Sequence, residues 1–335
     1  MRRFGRVGFP VTLAGYGATL IGNLGRAMDN ATAHTLVDDA WERGVRFYDT
    51  APLYGHGLSE HRLGHALFPR DRQEYVLSTK VGRRLHPAPR GTFSTGSWVD
   101  TAPFRADVDY SYDGVMRQLE DSLQRLCADR IDVLLIHDCD VWTHGPAAQP
   151  QRFREAMTGA YPALARLRDE GVVRAIGLGV NETAVCLAAL QEADLDCLLL
   201  AGRYTLLEQD PLDDLLPLCQ ERGVAVVLGG VFNSGILATG GVDAARHNYT
   251  RASPDVLRRV HRFDAVCRRY GVPLGAAAVQ FVAAHPSVVN VCLGARSIAQ
   301  QKANQAAFRH PIPPTLWAEL KSLKLIREDA PTPAA

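Results

Sequence analysis

The chain has 335 residues, of which 47% are hydrophobic and 22% charged, and its formal net charge is +1. This balance is typical of a globular protein in water, and the near-zero charge gives no electrostatic reason to expect nucleic acid or an anionic membrane as a partner. No apolar run approaches the roughly 20 residues needed to span a bilayer, so we expect no membrane segment.

Short apolar runs rich in β-branched residues recur along the chain, and amphipathic helix-like stretches separate them. The predicted strands are residues 11–14, 45–48, 75–79, 131–136, 173–178, 197–200, 224–228 and 289–293. Regular alternation of strand and helix indicates parallel β/α units. Eight such units across about 300 residues predict an α/β fold, a (β/α)8 TIM barrel. We expect one domain over residues 1–329 and a flexible tail at 330–335.

A doubly wound sheet is the alternative fold. It usually carries G-x-G-x-x-G directly after its first strand, and the glycine-rich stretch "AGYGATLIG" lacks that spacing. We therefore expect those glycines to form turns. Two long loops are predicted after the third and fourth strands, at residues 81–107 and 138–160. Both fall on the C-terminal face of the barrel, where barrel enzymes build their active sites.

Polar side chains follow three neighbouring predicted strands at the point where each strand ends. Asp49 and Tyr54 follow the second strand, Lys80 ends the third, and His137 ends the fourth. Because the carboxyl ends of parallel strands meet at one rim of a barrel, we expect these four side chains to converge.

The four residue types suit proton transfer by a phenol. A free tyrosine has a pKa of about 10, which is too high for efficient acid–base catalysis near neutral pH. The ammonium of Lys80 would favour the phenolate of Tyr54, and Asp49 would pair with that buried ammonium. His137 would orient the substrate oxygen or share the proton.

Five motifs occur in order along nearly the whole chain: "DTAPLYGHGLSEHRLG", "STKVG", "LLIHD", "GLGVNE" and "GARSIAQQKAN". Together they resemble the aldo-keto reductase superfamily, in which the Asp, Tyr, Lys and His of these motifs form a catalytic tetrad. "KVGRRLHP" and "LLLAGRYTLLEQ" resemble its L-fucose, D-threo-aldose and galactose 1-dehydrogenase branch, which has pyridoxal 4-dehydrogenase as a neighbour. The resemblance implies hydride transfer from the anomeric carbon of an aldose of the L-fucose, D-arabinose or L-galactose type, which yields a lactone.

The resemblance also implies a bound NAD or NADP at the rim. Asn181 matches the family asparagine that binds the carboxamide, but Val180 and Ala201 replace the serine and glutamine that usually assist it. Gly229 stands where the family has a stacking tyrosine, and Phe232 is our candidate replacement. The residues matching the adenosine end of the site are Gly294, Arg296, Ser297, Gln300 and Asn304. Gln300 stands where NADPH-preferring members carry arginine, which favours NAD, whereas Arg296 keeps use of both cofactors open.

Arg83 and Trp142, in the two long predicted loops, are candidate substrate contacts. His61 and His65 lie four residues apart, but no acid or cysteine completes a metal site, so we expect no metal. The seven cysteines form no C-x-x-C pair, which favours a reducing cytoplasm. Two alternatives stay open: a dehydrogenase or reductase for pyridoxal or other aldehydes and alcohols, and a cofactor-binding regulatory subunit. The sequence makes no prediction of oligomeric state.

Overall fold

A computed structural model describes residues 1–242, 245–248 and 250–333. Parallel strands close into a barrel in sequential order, which confirms the predicted (β/α)8 architecture. The barrel strands, numbered β1 to β8, are Ala14–Gly17, Phe47–Asp49, Val76–Val81, Val133–His137, Ala175–Val180, Cys197–Ala201, Ala225–Gly229 and Val288–Leu293. The last strand pairs with the first, with Val291 opposite Ala14.

Helices cover the outside of the barrel and bury its outward-facing side chains. Numbered α1 to α12, they are Asn30–Glu42, Leu58–Leu67, Tyr112–Leu126, Val141–Glu155, Tyr161–Asp169, Thr183–Glu192, Leu215–Arg222, Ile236–Thr239, Pro254–Arg269, Leu274–Ala283, Ile298–Ala307 and Pro314–Ser322. Local sequence sets several of their starts: Asp29 and Ser111 cap α1 and α3 by accepting backbone N–H bonds. Within the described residues, no helix combines the length and the apolar composition needed to cross a membrane.

The interior of the barrel is packed with apolar side chains and is closed at its amino-terminal end. Short strands Arg2–Arg3 and Pro10–Val11 form an antiparallel pair there. The ring of Phe4 stacks on Phe9 at 4.7 Å and on Phe47, the first residue of β2, at 6.3 Å. The amino-terminal strand pair does not cover the opposite, carboxyl-terminal end of the barrel, where barrel enzymes place their active sites.

The predicted first strand, residues 11–14, was placed too early. Val11 belongs to the amino-terminal pair, and β1 is the stretch "AGYG" that we expected to form turns. Glycine is needed there because a Cβ on Gly15 would lie 2.3 Å from Oδ1 of Asn290, a fully buried side chain on β8. The amide of Asn290 therefore fills the space that a side chain at position 15 would occupy. This amide donates to the Thr12 carbonyl at 2.7 Å.

The two predicted long loops contain regular structure. Residues 81–107 hold most of an antiparallel hairpin, Arg83–Pro87 with Phe104–Val108. Its connection folds back on the segment after β1 through a bridge between Leu24 and Trp98. Residues 138–160 form α4 and a π-helical turn, Ala156–Ala160, that leads into α5. Both segments follow β3 and β4 and so stand at the carboxyl end of the barrel.

Two further features lie outside the barrel. Short strands Arg246–His247 and Thr250–Arg251 pair in antiparallel fashion. At the C-terminus, the predicted tail starts at Ala330, which is buried and donates its N–H to the Arg327 carbonyl at 3.2 Å. Residues 334 and 335 of that predicted tail lie outside the described residues.

Candidate active site

The structure brings all four predicted catalytic side chains together at the carboxyl end of β2, β3 and β4. Asp49 and His137 are the last residues of β2 and β4, and Lys80 is the next-to-last residue of β3. Tyr54 lies in the short loop between β2 and α2, held close to the backbone of Gly22, where a Cβ would lie 2.8 Å from the Tyr54 carbonyl carbon.

Lys80 and Asp49 form a buried ion pair. Nζ of Lys80 lies 2.7 Å from Oδ2 of Asp49 and also donates to the Thr50 carbonyl at 2.7 Å. The other carboxylate oxygen, Oδ1, accepts from Ser78 Oγ at 2.8 Å. Burial lowers the pKa of Lys80, but the charge of Asp49 and the nearby Tyr54 raise that pKa above its usual value. The lysine is therefore a permanent ammonium.

The ring of Tyr54 lies beside that ammonium, with Nζ of Lys80 4.8 Å from the ring centroid. Burial raises the pKa of Tyr54 to about 12, while the charge of Lys80 acts in the opposite direction. Lys80 thus favours the phenolate, but burial outweighs its effect, and the phenol of Tyr54 is protonated near neutral pH.

His137 stands edge-on to the phenol, with ring centroids 5.7 Å apart and planes at 78°. Burial lowers the pKa of His137 well below its usual value, and the charges of Lys80 and Arg83 lower it further. The imidazole is therefore neutral. Its Nδ1 is buried and finds no hydrogen-bond partner in the part of the chain that the structure describes.

Asp138 joins this group, although we did not predict it. Its Oδ2 lies 3.4 Å from Nε2 of His137 and 3.8 Å from Nη2 of Arg83. Burial raises the pKa of Asp138 to about 7, and the charge of Arg83 opposes that rise. The signal was present in the sequence, because an acid directly follows the strand-end histidine in "LLIHD".

An aromatic side chain from the hairpin connection also reaches the site. The ring of Trp98 lies 5.4 Å from that of Tyr54, with the planes tilted by 31°. The predicted substrate residue Trp142 is instead 47% exposed, with the Arg203 guanidinium 5.3 Å from its ring. The structure therefore places Trp98, rather than Trp142, against the phenol.

Asn181, the predicted carboxamide ligand, follows β5 and is held by two acids. Its side-chain amide donates to Asp138 Oδ1 and Asp140 Oδ2, each at 3.2 Å, and its backbone N–H donates to Asp140 Oδ2 at 2.7 Å. The guanidinium of Arg203 donates to the backbone carbonyl oxygen of Asn181. These contacts fix the amide of Asn181 at the rim of the barrel.

Gly229 ends β7, and Phe232, the predicted stacking residue, follows it by three positions. A Cβ on Gly229 would make ordinary van der Waals contacts with Leu199 and Ala201, at 3.7 and 3.8 Å. The ring of Phe232 lies against the start of α10, 3.6 Å from the Cβ position of Gly275.

Asn233, which we did not predict, lies in the same segment after β7 and is 2% exposed. Its amide donates to the Gly202 carbonyl, and its Oδ1 is buried without a partner in the described ranges. The unpaired oxygen of Asn233 is a hydrogen-bond acceptor that suits a polar group of a cofactor.

The five residues predicted for the adenosine end come together after β8. Ser297 caps α11 by accepting from the Gln300 N–H at 3.2 Å, and Asn304 donates to the Gly294 carbonyl at 3.1 Å. Oε1 of Gln300 accepts the backbone N–H of Arg296 at 2.8 Å. The Arg296 guanidinium donates to the carbonyls of Leu24 and Arg26, in the segment that bridges to Trp98.

His61 and His65, the histidine pair that we considered as a metal site, do not belong to a cluster of metal ligands within the described part of the chain. His65 of α2 stacks on His34 of α1, with ring centroids 4.5 Å apart. Over residues 1–242, 245–248 and 250–333, no three or more His, Cys, Asp or Glu side chains are grouped so that they could hold a metal ion.

The aldo/keto reductase family profile matches residues 14–325. The chain belongs to this family. It is 42% identical over 337 residues to pyridoxal 4-dehydrogenase of Microbacterium luteolum, and 39% identical over 333 residues to D-threo-aldose 1-dehydrogenase of a Pseudomonas species. Each of these alignments covers 97% of both chains. Among solved structures, the holo form of aldo-keto reductase AKR11C1 from Bacillus halodurans superposes with a TM-score of 0.72 at 27% identity, covering 96% of this chain and 95% of the other.

Family membership makes the protein an NAD(P)-dependent oxidoreductase that acts on a small molecule. The two dehydrogenase relatives also place it in the branch that the sequence motifs indicated.

Proposed function

We propose that this aldo/keto reductase oxidises the anomeric carbon of an aldose of the L-fucose, D-arabinose or L-galactose type to a lactone. The observation that carries the proposal is the contact of Tyr54 with the Lys80–Asp49 ion pair beside a neutral His137. A hydroxyl being oxidised must lose a proton, and this group offers a proton acceptor next to a fixed positive charge. The D-threo-aldose 1-dehydrogenase relative supports the choice of substrate.

Each side chain has a separate task in this reaction. The phenolate form of Tyr54, a minor fraction near neutral pH, accepts the proton of the anomeric hydroxyl, and Lys80 stabilises the negative charge on that phenolate. Asp49 holds Lys80 in place. The neutral imidazole of His137 hydrogen-bonds the reacting oxygen as the C–O bond gains double-bond character. Asn181 and the residues after β8 would hold the dinucleotide, whose nicotinamide would accept the hydride that leaves the anomeric carbon.

Pyridoxal is the second candidate substrate, because the pyridoxal 4-dehydrogenase relative is 42% identical. Pyridoxal has a hydroxymethyl group beside its aldehyde and closes to a cyclic hemiacetal, as aldoses do. Both candidates thus present one carbon that bears a hydrogen, a hydroxyl and a ring oxygen. The same four side chains would oxidise either to a lactone, so the choice depends on the surrounding contacts.

A substrate panel tests the proposal. Purified protein is mixed with NAD or NADP and with L-fucose, D-arabinose, L-galactose, D-galactose or pyridoxal, or with NADH or NADPH and a simple aldehyde, and the absorbance of the reduced nicotinamide is followed. We expect turnover with at least one aldose. Turnover with pyridoxal alone would show that pyridoxal, and not an aldose, is the substrate. Reaction of the simple aldehydes alone would show that the protein is a general aldehyde reductase. Tight cofactor binding without any turnover would favour the regulatory subunit.

We propose NAD as the preferred cofactor. Gln300 cannot pair with a 2′-phosphate as an arginine would, and the Arg296 guanidinium is occupied by two backbone carbonyls. Gln300→Arg should raise the NADP-to-NAD ratio of kcat/KM by roughly tenfold or more, because charge-assisted bonds to phosphate are strong. The matched variant Gln300→Glu should lower that ratio. A wild-type preference for NADP would contradict the proposal.

A cytoplasmic location is part of the same proposal. All seven cysteines are free thiols, and six of them are buried. Disulfides form in oxidising compartments, so unpaired thiols suit a reducing one. Fractionation of the source cells tests this, and recovery of the protein from an oxidising compartment would overturn it.

A further inference from the structure

Arg83 is a buried cation whose contacts are incomplete. It follows Gly82 at the start of the hairpin and is 6% exposed. Its Nη1 is buried and has no hydrogen-bond partner among the described residues. Its carboxylate neighbour is Asp138, at 3.8 Å between Nη2 and Oδ2, which is too long for a hydrogen bond. Because a buried unpaired donor is costly, this guanidinium is suited to receive a hydrogen-bond acceptor from a ligand.

Asp138 is the acidic side chain that faces the Arg83 guanidinium. Its backbone is left-handed, with a φ of 52°, and its Oδ1 accepts from the Asn181 amide at 3.2 Å. Oδ2 is therefore left to face Arg83 and His137. The Asp138 side chain keeps 13% exposure, so a molecule entering at the rim can reach it.

The pair lies next to the reacting position. Oδ2 of Asp138 is 3.4 Å from Nε2 of His137, and the charge of Arg83 contributes to the lowered pKa of that imidazole. Trp98 packs on the ring of Tyr54. The site thus has an apolar wall at Trp98 and a polar wall at Arg83 and Asp138, which suits a polyhydroxylated ring with one C–H face and one hydroxyl edge.

We propose that Arg83 and Asp138 together bind a second hydroxyl of the substrate, on the carbon beside the reacting carbon, and so select α-hydroxylated hemiacetals and aldehydes. This deepens the proposed function and rests on it. A hydroxyl is both acceptor and donor. Its oxygen accepts from Nη1 of Arg83, and its hydrogen is donated to Oδ2 of Asp138. Both residues act as specificity-determining contacts, while Tyr54 carries the proton of the reacting hydroxyl.

The experiment compares substrates that differ only in that hydroxyl. The oxidative pair, assayed with NAD or NADP, is D-arabinose and 2-deoxy-D-ribose, and the reductive pair, assayed with NADH or NADPH, is lactaldehyde and propanal. For each pair, the kcat/KM ratio of the hydroxylated to the deoxy compound is measured in wild type, Arg83→Gln and Asp138→Asn. The matched control is Arg84→Gln, which removes the neighbouring guanidinium, 3.9 Å from Asp109. Arg83→Lys, which keeps the charge, replaces Arg83→Gln if that variant fails to fold.

We expect wild type to prefer the hydroxylated member, and Arg83→Gln and Asp138→Asn each to lower that preference roughly 10- to 100-fold. The double variant should lose little more than either single one, because both partners hold the same hydroxyl. Arg84→Gln should keep the wild-type ratio. No preference in wild type, an unchanged ratio in the variants, or an equal loss on both members of a pair would overturn the proposal.

The reductive pair separates this idea from the proposed function. If no aldose is oxidised, the proposed function fails, yet the ratio of lactaldehyde to propanal still reports on the two residues. If aldoses are oxidised but the ratio does not respond to either substitution, the proposed function stands and the role of the pair is wrong.

Discussion

Nζ of Lys80, a residue that is 1% exposed, lies 4.8 Å from the centre of the Tyr54 ring at the carboxyl end of the barrel. An ammonium at that distance favours the phenolate, and its effect is larger in a buried site than at a surface. The proposed proton transfer depends on this relationship, and the surrounding side chains keep it in place.

The Lys80–Asp49 ion pair should contribute to stability as well as to activity. Asp49→Ala leaves a buried ammonium without its carboxylate, so we expect the free energy of unfolding to fall by about 3–5 kcal/mol. Chemical denaturation followed by circular dichroism measures this change. The matched double variant Asp49→Leu with Lys80→Met removes both charges and should recover much of the loss. A fall of less than about 1 kcal/mol for Asp49→Ala would contradict the description of the ion pair.

Asp138 should make the stability of the protein depend on pH. Burial raises its pKa to about 7, and Asp140 acts in the same direction, while Arg83, Lys80 and the Asn181 amide oppose the rise. An unfolded aspartate has a pKa of about 3.9. At a pH between these two pKa values, Asp138 is therefore protonated in the native state and ionised in the unfolded state. The resulting stabilisation is complete below about pH 4 and is lost as the pH rises through about 7.

Asp138→Asn, which cannot titrate, tests this pH dependence. The free energy of unfolding of wild type minus that of Asp138→Asn should decrease steadily as the pH rises from 4 to 7. Denaturant titrations in a series of buffers provide the measurement. Parallel curves for the two proteins over that range would show that Asp138 is already ionised at the acid end.

Trp98 and Trp142 can be told apart by substitution. An aromatic contact contributes about 0.5–1.5 kcal/mol, so Trp98→Ala should lower kcat/KM for the preferred substrate by roughly 2- to 12-fold. Trp142→Ala, at an exposed position 5.3 Å from the Arg203 guanidinium, should lower it less. Steady-state kinetics on both variants measures the order of the two effects. The reverse order would restore Trp142 as the aromatic substrate contact.

The sequence predicted the barrel and the four converging side chains because both depend on local patterns. Buried parallel strands are apolar on both faces, so β3 to β8 could be found from composition, and the residues at their ends must meet at one rim. The first strand was misplaced because Gly15 belongs to it for a long-range reason, the room taken by Asn290 of β8. A pattern within "AGYG" could not reveal that partner.

The missed residues also depend on long-range contacts. Trp98 lies 44 positions after Tyr54, and its place against the phenol depends on the bridge between the hairpin connection and Leu24. Local propensity carries no information about that bridge. Asp138 differs, since its position directly after His137 was visible in the sequence. Its role depends on the left-handed turn and on Arg83, which only the folded chain displays.

The most direct test of the account measures turnover and cofactor affinity together in Tyr54→Phe. Cofactor affinity is followed by quenching of protein fluorescence, and turnover by the absorbance of the reduced nicotinamide. Tyr204→Phe is the matched control, because its buried hydroxyl packs away from the site, against Phe281 and His285. We predict that Tyr54→Phe loses roughly 10²- to 10⁴-fold in kcat while its Kd for the cofactor stays within about twofold, and that Tyr204→Phe retains kcat. Retention of kcat within a few fold by Tyr54→Phe would contradict the assignment of the phenol as the proton carrier.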